Sequence, residues 1–433
     1  MKAKVQSTKI TLFSRIILSA SLGNTLEFYD FATYGFMMPI LAPLFFPSSS
    51  PLNSLFLAFG AFAVSFLARP LGGIIFGYIG DKYSRKFSFS LSLILMAIST
   101  SLIGLLPTFD QVGILAPLLL TFCRIFQGLC MGGEFSGSLI FATENLKGKA
   151  TKSAFITGSI TAAGVVGWFL SSTVCSLSLK FDQAYAWRIP FLLGALVGVV
   201  GYYLRRTTIL EAPHYPKNIN NEIKMKNVAW RNIFSVMGIG ALMGGLFYGL
   251  QIFPNSFLPT YFSSISQAKA LSYTSFGIAV YMLSLPIMGY LADKVNHTQW
   301  MFIFSFLTIV LGYPIFILLM SGNSSLIILA ELISSLLLAG FMAPATFIMT
   351  QSFPPHLRYR LVSFSYNLGA SIFGGLTPGI FLFLIEKFDS LHAPAFYLIL
   401  CGVFGLFSSY YLSHNKQHLF RFFLANLNRN SKK

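Results

Sequence analysis

Charge is scarce in this chain, and acid scarcer still: 10% of its 433 residues are charged, with 13 Asp or Glu against 30 Lys or Arg. With 55% apolar and 16% aromatic residues, a soluble globular protein of this length is excluded. Cysteine is also rare. Its four positions, 123, 130, 175 and 401, show no CxxC or other ligand spacing, so neither a metal site nor a disulfide framework is indicated. No GxxxxGKS/T phosphate loop occurs, which argues against an ATP-driven pump. The six His fall in loops, tails or helix ends, so no Ser/His/Asp or Cys/His arrangement can be built. An enzyme is not expected, and no cofactor is called for.

What the chain has in abundance is apolar runs. A bilayer core needs roughly 20 apolar residues per helix, and turn or charge clusters cut the sequence into twelve spans near 15–44, 53–80, 87–107, 113–143, 152–179, 188–206, 231–262, 271–292, 299–320, 325–352, 360–386 and 392–413. The expected fold is therefore an all-α polytopic membrane protein with twelve transmembrane helices. Lys2, Lys4, Lys9 and Arg15 before the first span resemble the start of a signal peptide. That span nevertheless holds Glu27 and Asp30, lacks a cleavage site and is long enough to cross, so it is kept as a helix.

The net charge of +17 is spread between spans rather than gathered on a soluble domain, so no nucleic-acid partner is expected. With the N-terminus inside, 24 of the 30 Lys and Arg lie in cytoplasmic segments. That bias places both termini in the cytoplasm of a multi-pass cell (inner) membrane protein.

The longest polar interruption, "RRTTILEAPHYPKNINNEIKMKNVAWR" at 205–231, parts six helices from six. The expected organisation is an N-terminal half (1–204), a central cytoplasmic loop (205–231), a C-terminal half (232–413) and a cytoplasmic tail (414–433). "GYIGDKYSRK" after the second span is echoed by "GYLADKVNHT" after the eighth, the matching place in the other half. Duplicated halves with a midplane site between them are how many secondary transporters are built.

A charge in mid-membrane costs about 3 kcal/mol on insertion scales, so it faces a cavity or a partner. Glu27, Asp30, Arg69, Arg124 and Glu134 qualify as a proton-coupling charge network. Counting depth at about 1.5 Å per residue pairs Glu27 or Glu134 with Arg69, and Asp30 with Arg124. Static ion pairs would explain the same residues. Asn24 and Tyr34 share the polar stripe of the first helix, while Tyr248, Gln251 and Asn255 follow i, i+3, i+7 on the seventh. With Tyr366 and Asn367 of the eleventh, these are polar groups suited to orienting a small solute. The expected solute-binding set is Asn24, Tyr34, Tyr248, Gln251 and Asn367, with interhelical hydrogen bonds as the plainer role for each. Glu331 is placed near the outer end of the tenth helix, where reaching the interface is cheap. "RIFQGLCMGGEFSGSLIFATEN" at 124–145 reads as one long helix, whose glycines, with Gly73 and Gly77, serve close helix packing.

Four segments together, "NTLEFYDFATYGF", "FLARPLGGIIFGYIGDKYSRK", "RIFQGLCMGGEFSG" and "WRIPFLLGALVGVVGYYLRRTTILEAP", resemble the metabolite:proton symporters of the major facilitator superfamily. In the second half "GYLADK", "FPPHLRYRLVSFSYNLG" and "GGLTPGI" are consistent with the proline/betaine branch. The resemblance implies proton-coupled symport of a small organic solute, a zwitterion such as proline or betaine or a small carboxylate, by alternating access. Arg69 and Arg124 would favour a carboxylate. It also implies a cytoplasmic gate of Gly77, Asp81 and Arg85, with Asp81 against a helix N-terminus. Ser84 departs from the usual loop glycine, and the second-half loop keeps only Lys294 of its basic end. The short basic tail shows no sustained heptads, so a coiled coil is not expected. Expected partners are the solute, protons and the bilayer, with no obligate protein partner. A non-transporting sensor, an exporter or an uncoupled facilitator would share the pattern.

Overall fold

Apolar runs of this length have no water to satisfy their backbone, so each bonds its own N–H and C=O groups as an α-helix. The computed structural model describes residues 2–430 except 84, 146–152, 182 and 209–229. Side chains are described from residue 21 to 413, apart from those segments and residues 80–82, 85–86, 89, 145, 183–184, 197, 202, 204–208 and 355–356. The first half holds α1 (Lys2–Phe45), α2 (Pro51–Lys82), α3 (Arg85–Leu105), α4 (Leu115–Met131 resuming as Glu134–Asn145), α5 (Ser153–Ser178) and α6 (Arg188–Thr208). The second holds α7 (Trp230–Tyr261), α8 (Gln267–Ala292), α9 (His297–Leu319), α10 (Ser324–Gln351), α11 (Leu357–Phe388) and α12 (Pro394–Asn430).

Among the described residues, nine helices are long and apolar enough to cross a membrane. Two shorter apolar stretches, Ser90–Leu105 and Arg188–Gly201, lie in α3 and α6, and α1 completes the twelve. Helix pairing repeats between halves. α1 packs on α5, α2 on α4 and α3 on α6; likewise α7 on α11, α8 on α10 and α9 on α12. The halves meet where α5 packs on α8 and α10, and where α2 packs on α11. Within each half the connections are short, so successive spans run antiparallel; Gly77 near the end of α2 lies against Tyr359 near the start of α11, so the start of α1 and the end of α12 share one face of the bundle, here the terminal face.

Four expectations change. α1 begins at Lys2 and α12 runs to Asn430, well past the expected limits of 15 and 413, because neither flank contains Gly or Pro to stop a helix. The single helix expected over 124–145 is broken at Gly132–Gly133, where two poor helix formers stand together. α7 carries a π turn at Tyr248–Ile252, with Phe253 N–H donating to Tyr248 O just before Pro254. α11 carries another at Ser371–Gly375. A π turn admits an extra residue and rotates everything beyond it.

α2 and α4 touch backbone to backbone. A Cβ on Gly72 would fall on the Leu129 carbonyl, and one on Gly128 on the Ser65 carbonyl, which is the close approach that small residues permit in a bilayer.

Candidate functional site

Between the halves, near the middle of their helices, lies a cavity of about 30 Å³, room for an ordered water or two. α1, α2, α4 and α5 supply Phe28, Arg69, Phe135 and Trp168; α7, α8 and α11 supply Phe247, Tyr248, Tyr281, Tyr366 and Asn367. The walls are mostly aromatic faces packed edge to face: Trp168 lies 4.7 Å from Phe247 and Tyr248 4.8 Å from Phe66, centroid to centroid. Arg69 is 5% exposed. Its guanidinium carbon sits 3.6 Å from the Phe66 centroid and 4.2 Å from that of Phe31, held by cation–π attraction. Nε and Nη2 of Arg69 find no hydrogen-bond partner, nor does the Tyr281 hydroxyl. Buried donors left in that condition call for explanation; here they edge a cavity.

Arg124, fully buried, does not pair with Asp30 as expected. Its Nη1 donates to Gln127 Oε1 at 2.6 Å and its Nη2 to Ser65 Oγ at 2.9 Å, and Gln127 passes the chain to Thr100 Oγ1 at 2.7 Å. The guanidinium also lies over Tyr34, 4.2 Å from the ring centroid. Asp30 points instead toward Gly194 of α6 and Thr100 of α3, and both its carboxyl oxygens lack a hydrogen-bond partner. Counting residues fixes depth along a helix; it leaves open the direction in which the side chain points.

Nor does Arg69 pair with Glu27 or Glu134. The ion pairs found among the described residues are Asp293–His297 and Glu144–Arg358. Glu27 and Glu134 are buried in the first half, and Glu134 accepts from Ser92 Oγ at 3.4 Å.

Of the expected solute-binding residues, Tyr248 and Asn367 reach the cavity. Asn24 Nδ2 donates to Ser138 Oγ at 2.8 Å, and Tyr34 donates to the Ala58 carbonyl at 2.9 Å. Gln251 leaves the face it was expected to share with Tyr248 because both sit in the π turn. It donates to Ser335 Oγ of α10 at 3.2 Å, while Asn255 donates to Phe36 O at 3.3 Å. Glu331 reaches no interface: it is 1% exposed and faces Gly277 of α8. Residues missed from sequence are Phe28, Phe135, Trp168, Phe247 and Tyr281, aromatic positions without a distinguishing mark in a chain holding 46 Phe.

Both ends of the cavity are closed by contacts between halves. On the terminal face, Asn367 Nδ2 donates to Gly132 O at 2.6 Å and Tyr359 OH to Gly133 O at 3.1 Å. Arg358 pairs with Glu144 at 3.2 Å. Asp293 accepts from the Ala154 and Phe155 N–H groups at the start of α5, both at 2.9 Å, and from His297; a carboxylate there complements the helix dipole. Gly77 lies against Tyr359, where a Cβ would be 3.6 Å from the ring. Asp81 and Arg85 lie outside the residues whose side chains are described. On the opposite face, Ser275 bonds Ser172 at 3.0 Å and Asn255 bonds α1.

The sequence profile described as the Major Facilitator Superfamily matches residues 20–378. A proline/betaine transporter of Escherichia coli (strain K12) is 32% identical over 415 residues, covering 90% of this chain and 82% of that protein. A glycine betaine/proline/ectoine/pipecolic acid transporter of Dickeya dadantii (strain 3937) is 31% identical over 427 residues, covering 92% and 83%. Among solved structures, a D-xylose–proton symporter superposes with TM-score 0.72 at 16% identity, over 92% of this chain and 96% of the other. A bacterial homolog to the human lysosomal transporter Spinster, in an inward-facing and occupied conformation, gives 0.64 at 16%, over 93% and 97%. These two likenesses bear on the fold.

Proposed function

The chain belongs to the major facilitator superfamily, and from that premise we propose that it moves small zwitterions, proline and glycine betaine among them, together with protons. It is a membrane transporter rather than an enzyme. The observation that carries the substrate class is the cavity, which sets unpartnered N–H groups of Arg69 beside the faces of Trp168, Phe247, Tyr248 and Tyr366. A guanidinium binds a carboxylate through charge-assisted hydrogen bonds worth about 1.5–3 kcal/mol. Aromatic faces attract a secondary or quaternary ammonium by about 0.5–2 kcal/mol. A molecule with both groups and little else matches that lining, and the relatives' names point the same way.

A cavity of about 30 Å³ is far smaller than proline, and both of its ends are closed, so the halves must part for solute to enter. This supports alternating access, in which one end opens while contacts at the other persist. The halves are residues 1–204 and 232–413, joined by the loop 205–231, with 414–433 as the tail. Both termini face the cytoplasm of the inner membrane, and Gly77, Asp81 and Arg85 gate that side. In the first half, Asp30, Glu27 and Glu134 are the carboxylates that take up and release the proton, while Arg124 is held by Gln127 and Ser65.

The test is uptake by proteoliposomes of labelled proline, glycine betaine and small carboxylates, with and without an inward proton gradient. Gradient-stimulated accumulation of a zwitterion is the expected result. Indifference to both gradient and uncoupler removes proton coupling, and preference for a dicarboxylate removes the zwitterion assignment.

A further inference from the structure

The second half holds few buried charges. Among its described residues they are Glu331 and Arg358, and Arg358 pairs with Glu144 on the terminal face. Glu331 is one-quarter of the way along α10, buried against α8 and α7, and neither of its carboxyl oxygens has a hydrogen-bond partner.

Its surroundings settle which groups can donate to it. The Gln251 side chain packs beside it over Gly277. A Cβ at Gly277 would meet Glu331 Oε2 and would stand 2.6 Å from Gln251 Oε1 and 3.0 Å from its Nε2, so carboxyl and amide converge on one spot above that glycine. Gln251 Nε2 donates to Ser335 Oγ and Ser334 Oγ, at 3.2 and 3.4 Å; the serine hydroxyls donate elsewhere, Ser334 to Glu331 O at 3.0 Å and Ser335 to Gly277 O at 2.8 Å, and a hydroxyl has one proton. Gln251 Oε1 and both carboxyl oxygens of Glu331 are left without a donor. One proton on Glu331 resolves both.

We propose that Glu331 is a proton site of the second half, loaded in this closed state, where its O–H donates to Gln251 Oε1. This rests on the reading that solute moves with protons. The other titratable groups on the adjoining faces are phenols: Tyr273, which donates to Ser324 Oγ at 2.7 Å, and Tyr281, on α8, and Tyr248 on α7. No Lys, Arg or His of the second half is buried with them among the described residues. The site communicates with the solute cavity through the π turn Tyr248–Ile252, which aims Tyr248 at the cavity and Gln251 at Glu331. When the cavity empties and the turn shifts, Gln251 Oε1 withdraws and the proton leaves for water on the open side.

The test uses purified full-length protein in two assays. Infrared difference spectra of wild type and Glu331→Gln report whether a carboxylic-acid C=O band belongs to this residue, without need of any solute. The amide of the variant can still donate to Gln251, which preserves the fold. The band is expected in wild type, absent from Glu331→Gln, and moved to higher frequency in Gln251→Ala. A spectrum unchanged by Glu331→Gln overturns the loaded state. In proteoliposomes, Glu331→Gln is expected to cut gradient-driven accumulation of proline or glycine betaine at least tenfold while keeping solute counterflow within threefold. Wild-type accumulation by the variant overturns the coupling role, and accumulation that requires sodium ions overturns the proton as ligand. If no solute counterflows in wild type, the transport reading fails, whereas the infrared result still decides the occupancy of Glu331.

Discussion

Replacing Asn367 by alanine should tip the protein toward opening on the terminal face. Asn367 Nδ2 donates to Gly132 O across the halves and to Ser363 O within α11. The second bond survives any rigid movement of the halves and cancels between states. The first exists only while that face is closed. Its loss strands a buried carbonyl on α4, a penalty of about 1–3 kcal/mol, which at roughly 1.4 kcal/mol per decade is a shift of about 5- to 150-fold in the open-to-closed ratio. The four native cysteines are buried, so spin labels can be directed to cysteines introduced at the exposed positions Tyr83, just past the end of α2, and Gln351 of α10. Double electron–electron resonance on the pair then counts the two populations. The longer distance should gain weight in Asn367→Ala but not in Asn24→Ala, whose lost bond to Ser138 lies inside one half. Identical distance distributions for wild type and Asn367→Ala would refute the reasoning.

Gly72→Ala should lower the melting temperature in detergent, since its methyl meets the Leu129 backbone and overpacking of that kind costs about 1–3 kcal/mol. Gly60→Ala, with open space around it, should melt no lower than wild type; equal melting of the two variants contradicts the close α2–α4 contact. Trp168→Leu should weaken glycine betaine counterflow about 2- to 30-fold in half-saturation concentration, the range of one cation–π contact, and an unaltered value denies the aromatic cage. Asp293→Asn should release the start of α5 by about 0.3–1 kcal/mol, seen with the same spin labels as a smaller shift than that of Asn367→Ala.

The twelve spans could be read from hydropathy because a bilayer allows a long apolar run little choice but helix. The charged and amide residues within those spans were conspicuous for the same reason, and Arg69, Tyr248 and Asn367 do reach the cavity. Partnerships were not legible. Asp30 and Arg124 sit at similar depth yet turn to different neighbours, because depth follows from counting whereas azimuth follows from packing. Gln251 was misplaced by a π turn, whose extra residue has no signature beyond a nearby proline. The outer placement of Glu331 rests on the same confusion of depth with direction: it lies about two turns from the start of α10 but points at α8. Trp168 and its aromatic companions were invisible for want of contrast, since lipid-facing and cavity-facing aromatics look alike in sequence.

The break in α4 carries a consequence for inheritance. Where the helix is interrupted, the groups that accept Asn367 and Tyr359 are the main-chain oxygens of Gly132 and Gly133, and every amino acid brings the same oxygen. Point mutations on the α4 side therefore cannot delete these acceptors, only reposition them, while a single codon change on α11 removes a donor outright. Under random mutagenesis, variants that lose either bond outright should map to one wall of the interface. Drift in how firmly that face closes would be recorded on α11, with its α4 counterpart nearly silent.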